Sequence, residues 1–193
     1  MRRRFSRKGN VSEVSPGDAL PDPVDQKRMR SKAYDSAIRL LARREHARAE
    51  IKQKLKIRGY EESLASEIVD DLTRSKLLSD ERFAEEFIRS RAERGQGAIR
   101  LRAELRQLNL PAELIESRMV AAQVDWARLA RDIRKRKFGE NIPKAPAERA
   151  KQMRFLQYRG FTADQIRRAM GASFEEDHLL NATELDAADS HLD

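Results

Sequence analysis

A chain of 193 residues with a net charge of +8, 37% charged and 39% hydrophobic residues has too little apolar material for one thick core, since an average domain is only about 25% charged. The absence of cysteine excludes disulfides and thiolate metal sites, and no apolar run approaches the roughly 18 residues of a membrane span. The apolar surface must be narrow and shared among many helices; aromatic content of 6% and few Gly or Pro between Met29 and Met170 favour helices over strands.

Residues 1–28 carry Pro16, Pro21 and Pro23 among Gly, Ser and Asp, without apolar periodicity, and seven basic against four acidic residues. They read as a disordered basic arm. The opening Met1-Arg2-Arg3-Arg4 is basic but no apolar signal core follows, so a cytoplasmic protein is expected.

The chain then repeats itself. Leu55-Lys56-Ile57-Arg58-Gly59-Tyr60 matches Leu105-Arg106-Gln107-Leu108-Asn109-Leu110, and both match Leu156-Gln157-Tyr158-Arg159-Gly160-Phe161. In each, an inner-face Leu is followed four positions on by a residue that tolerates positive φ (Gly59, Asn109, Gly160), and then by an apolar residue. That is how a helix stops and its last turn is covered. A new helix follows: Pro111 suits a first helical position, and Thr162 with Gln165 makes a capping box.

The spacing predicts three units of three helices. In unit one (29–78) they run over about 33–44, 47–58 and 61–76. In unit two (79–123) they run over about 80–94, 98–108 and 111–122. In unit three (124–171) they run over about 125–137, 147–159 and 162–170, with Gln152 at an apolar position and a longer loop from Gly139 to Pro146. A unit of about 45 residues is marginal alone, so the units should pack end to end as an elongated, curved array. Residues 172–193 form an acidic tail with seven acidic and no basic residues, which leaves +12 on residues 29–171. A body with that excess suits an anionic partner.

No catalytic constellation stands out. His46, His178 and His191 have no metal-ligand spacing and read as exposed histidines. Gly95-Gln96-Gly97 lacks a third Gly and a preceding strand, so it reads as a helix connection. The pairs Asp70-Asp71, Glu85-Glu86 and Glu175-Glu176 are adjacent and point about 100° apart on a helix. Trp126, Phe138, Phe155 and Tyr158 read as core. Neither an enzyme nor a metal or other cofactor is expected.

The basic residues do cluster. The candidate partner-binding residues are Arg43, Arg44, Arg48, Lys52, Lys56 and Arg58 in unit one, Arg91, Arg94, Arg100, Arg102 and Arg106 in unit two, and Arg134 and Lys135 in unit three. The surplus is read as recurring in every unit, as an anion-facing surface should. A helix-turn-helix docking is disfavoured, because the third helix of unit one holds Glu61, Glu62, Glu67, Asp70 and Asp71, which phosphates would repel.

Ala42-Arg43-Arg44-Glu45-His46-Ala47-Arg48-Ala49-Glu50 with Leu55 and Arg58-Gly59-Tyr60 resembles the opening repeat of the RecX family. Ser79-Asp80-Glu81-Arg82-Phe83-Ala84-Glu85-Glu86-Phe87, with Arg94-Gly95 leading to Leu101, Glu104 and Leu105, is similar to the second repeat. The sequence departs from the family at Asn109, where Gly is usual, and in its irregular third unit. The resemblance implies a non-enzymatic monomer that binds a RecA-type recombinase filament, with single-stranded DNA within the complex, and restrains its ATPase, strand-exchange and coprotease activities. A sequence-specific DNA-binding protein and a general single-strand binder stay open beside it.

Overall fold

The computed structural model describes residues 23–171, all in helices and their connections. The helices are α1 (Pro23–Leu41), α2 (Arg48–Ile57), α3 (Glu62–Arg74), α4 (Asp80–Glu93), α5 (Ala98–Gln107), α6 (Ala112–Ala121), α7 (Trp126–Phe138), α8 (Pro146–Tyr158) and α9 (Ala163–Ala169). The acidic tail and residues 1–22 of the basic arm lie outside the described residues.

Helix packing falls into triplets: α1 with α2 and α3, α4 with α5 and α6, α7 with α8 and α9. Each triplet closes its own core. Ile51, Leu55, Ile68 and Leu72 centre the first, Ile88, Leu101, Leu105 and Ile115 the second, and Ala130, Leu156 and Phe161 the third. Burying one such Leu or Ile contributes roughly 1.5–3 kcal/mol, so each triplet supplies part of its stability itself.

The three matched segments end alike. Gly59, Asn109 and Gly160 have φ of 87°, 60° and 87°. Tyr60, Leu110 and Phe161 each donate a backbone N–H to the carbonyl of the Leu five residues back, while the residue before each donates to the carbonyl three back. This double closure satisfies carbonyls that the helix leaves open. The same closure ends α3, with Lys76 at φ 57° where glycine is usual. At α9 the Thr162–Gln165 capping box is complete, both hydrogen bonds being formed. Pro111 precedes α6 as its N-cap instead of opening it.

The arm's expected limit at residue 28 needs correction, because α1 begins at Pro23, ten residues ahead of Ala33. Residues 23–32 are exposed throughout, so no apolar stripe marks them. A proline at the first position and Asp25 in the first turn suit a helix start. About two turns on, Arg30 ties α1 to α3 through Glu67 and Asp71.

Two junctions join the units, and they differ. Between units two and three backbone meets backbone, beside a side-chain contact from Arg159 to the carbonyls of Arg94 and Gly95: Gly97 N–H donates to Arg159 O at 2.8 Å and Ile99 N–H to Gly160 O at 2.9 Å. A Cβ on Gly97 would overlap the Gly160 carbonyl, and one on Gly160 would overlap Arg100. The glycine pair is what permits the approach. In the repeat register Ala47 and Asn109 stand where Gly97 and Gly160 do, and the junction of units one and two is made by side chains instead. Arg48 N–H donates to Asp80 Oδ1 at 2.8 Å, Arg82 Nε to Glu45 Oε1 at 2.8 Å, and the Ala47 methyl enters the second core.

Candidate functional site

In unit one most candidate cations face the carboxylates of the same triplet. Arg44 meets Glu50 at 2.6 Å, Arg48 meets Asp70 at 2.8 Å, and Lys52 and Lys56 meet Glu62 at 3.0 and 2.7 Å. Hydrogen bonds from Lys56 and then Lys52, followed by their charges, hold the Glu62 carboxyl down to about 2. Burial works to raise Glu50, but hydrogen bonding and charge from Arg44, with His46 close by, leave it below its ordinary value. Arg43 and Arg58 are exposed and make no ion pair among the described residues.

Unit two repeats this pattern. Arg91 and Arg100 share Glu104 at 3.6 and 2.8 Å. Arg102 holds Glu116 through both carboxylate oxygens, and that hydrogen bonding keeps Glu116 below the usual range. Arg94 and Arg106 stay exposed without an ion pair among the described residues. A cleft of about 590 Å³ between units one and two brings Arg44, Arg91 and Arg94 together around Phe87, with Glu45, Glu50 and Glu86 on its walls. The Arg91 guanidinium lies 5.0 Å from the Phe87 ring centre.

Arg134 is not a surface cation. It is 1% exposed and donates to the carbonyls of Glu140 and Asn141 at 3.0 and 3.2 Å and to Gln152 Oε1 at 3.4 Å. A buried guanidinium needs such partners. It also explains Gln152, whose amide stands at an apolar position of the repeat to receive it. Lys135 pairs with Glu140 at 2.6 Å.

The expectation that the positive surplus recurs in every unit also fails. Unit one has twelve basic and eight acidic residues, unit two eight of each, and unit three thirteen against five. The surplus of +12 thus divides as +4, 0 and +8. Arg131, Arg136, Lys137 and Arg154 are exposed and make no ion pair among the described residues. Counting acids together with bases, unit by unit, is what separates unit three from the other two.

His46 is buried, 3% exposed, with Nδ1 2.9 Å from Glu50 Oε2 in a close approach that is not an aligned hydrogen bond. Tyr158 is 83% exposed, whereas Trp126 packs on the second and third cores and Phe155 on the third. Gly95-Gln96-Gly97 is a helix connection, used for the close approach at the second junction. Among the described residues no group of three or more His, Cys, Asp or Glu side chains could hold a metal, and no helix is long and apolar enough to cross a membrane.

Triplets of helices joined in series, each around its own core, define the class as a tandem three-helix-repeat protein. Family models for the first, second and third three-helix domains of RecX match residues 33–72, 79–117 and 124–170 in that order. The chain belongs to the RecX family. It is 47% identical over 143 residues to the regulatory protein RecX of Halorhodospira halophila, covering 74% of this chain and 89% of that protein. To the regulatory protein RecX of Chromohalobacter salexigens it is 42% identical over 141 residues, covering 73% and 92%. The crystal structure of RecX from Lactobacillus salivarius shares the fold, with a TM-score of 0.64 at 19% identity over 75% of this chain and 96% of that one. Family membership makes the chain a regulatory protein.

Proposed function

We propose that this protein binds a RecA-type recombinase filament on single-stranded DNA in the cytoplasm and restrains its ATPase, strand-exchange and coprotease activities, without chemistry of its own. The observation that carries the reading is the serial arrangement of three separately cored units. A series of small units can follow an extended, repeating partner, with contacts distributed among successive subunits. Among the candidate residues of units one and two, Arg43, Arg58, Arg94 and Arg106 need no carboxylate released before they meet such a partner. Arg44, Arg48, Lys52, Lys56, Arg91, Arg100 and Arg102 would first have to exchange an intramolecular ion pair.

A second reading, a nucleic-acid binder that acts by occupying the strand, is favoured by the +8 surplus of unit three. DNA-dependent ATPase of the cognate recombinase separates the two, with the single strand in large excess over this protein. Inhibition at substoichiometric protein is expected for the filament regulator. Inhibition that disappears as strand is added would leave only strand occupation.

A further inference from the structure

The charge of unit three meets an aromatic cluster at one end of α7 and α8. Tyr158, the last residue of α8, is the most exposed of the large hydrophobic side chains among the described residues, at 83%. Among the described residues no core packs against its ring. One turn back on the same side of the helix stand Phe155 and Arg154. The Phe155 ring meets Phe138 edge-on at 5.2 Å and holds Lys137 Nζ at 4.3 Å and the Arg159 guanidinium at 4.9 Å. Arg159 is fixed in turn by the carbonyls of Arg94 and Gly95 at 3.1 and 3.3 Å. Lys137, Arg154 and Arg159 make no ion pair with a carboxylate among the described residues, unlike most of the candidate cations of unit one.

A helix C-terminus alone repels anions, so three cations around the end of α8 reverse the local field. An acidic peptide would answer those cations but leave an exposed phenol ring without a partner. A duplex would offer phosphates but keep its base faces stacked. An unpaired nucleotide strand offers both at once, phosphates for the cations and a base face for the ring, and such stacking is tolerant of sequence. We infer that the α7–α8 end of unit three is a single-strand nucleic-acid site, in which Tyr158 stacks on a base while Lys137 and Arg154 hold flanking phosphates. The site goes beyond the recombinase reading and stands on unit three alone.

The test uses the full chain without recombinase and follows the fluorescence anisotropy of labelled oligo-dT, an abasic strand of equal length, and a duplex. Tyr158→Ala should weaken oligo-dT binding about ten-fold, within the range of one lost base stack, and leave abasic-strand binding unchanged. Tyr158→Phe should bind within about two-fold of the parent, because it keeps the ring. Arg154→Ala should lower the salt slope by about 0.7, the single-strand value for one phosphate contact. Circular dichroism of each variant shows whether helicity is kept. Equal oligo-dT binding by the parent and Tyr158→Ala would overturn the site. So would an abasic strand or duplex bound as tightly as oligo-dT, since charge alone would then suffice. None of these outcomes alters the ATPase test of the filament reading.

Discussion

A cation's position in the sequence does not say whether its charge is available. Arg134, Lys135, Arg136 and Lys137 are consecutive, yet the first is buried on two carbonyls and Gln152, the second is paired with Glu140, and the last two are exposed without an ion pair among the described residues. Helical rotation of about 100° per residue separates them, and the loop that caps Arg134 is irregular, so no periodicity announces it. Arg134→Ala should lower unfolding free energy by about 1–3 kcal/mol, because buried acceptors lose their donor; urea denaturation measures it. At Glu62 the sign is opposite for binding. Glu62→Gln should release Lys52 and Lys56 and tighten salt-sensitive binding to an anionic target about two-fold or more, as one extra counterion contact would. Anisotropy with oligo-dT over a salt series checks this. The Glu62 carboxyl lies at about 2 when folded, below its ordinary 4.5. Its stabilising contribution is therefore fully present above about 4.5 and is lost as pH falls through about 2. Carboxyl NMR titration of the folded chain should place its midpoint at about 2, and a midpoint near 4.5 would mean that the lysines do not hold it.

Helix ends were legible, and so were helix starts except at α1. Gly59, Asn109 and Gly160 mark stops because positive φ selects Gly and then Asn, and the structure places all three in that conformation. The first ten residues of α1 are exposed and leave no apolar signature to read. Lys76, at positive φ after α3, is another stop that residue type conceals. The glycine pair at the second junction was visible only as half of a GxG, since what gives Gly97 its role is Gly160, 63 residues away. Gly97→Ala should cost about 1–3 kcal/mol through overpacking and separate units two and three without melting either core. Hydrogen exchange at Ile99 N–H, which bonds to Gly160 O, should accelerate relative to amides within α5. Unchanged protection there would show that a methyl group fits. Leu105→Ala, at a fully buried site of the second core, should cost about 2–5 kcal/mol.

At the scale of the whole molecule, the order of three triplets and the net charge of each were legible in the sequence, while the pairing of those charges was not. The pairings that silence most of units one and two run between helices, as Arg48 to Asp70, Arg102 to Glu116 and Arg118 to Glu85 do. Sequence shows clusters of one sign, but only the fold shows which acid faces them. The hydrogen bonds and ion pairs among the described residues join unit one to unit two and unit two to unit three, and none joins the first to the third. Such a chain can engage a repeating partner along its length. Electron cryomicroscopy of the cognate recombinase filament, assembled on single-stranded DNA with the full chain added, looks at this most directly. Continuous helical density that contacts more than one recombinase subunit is expected. Density confined to a single subunit, or a bare filament while the chain sits on free strand, would contradict it.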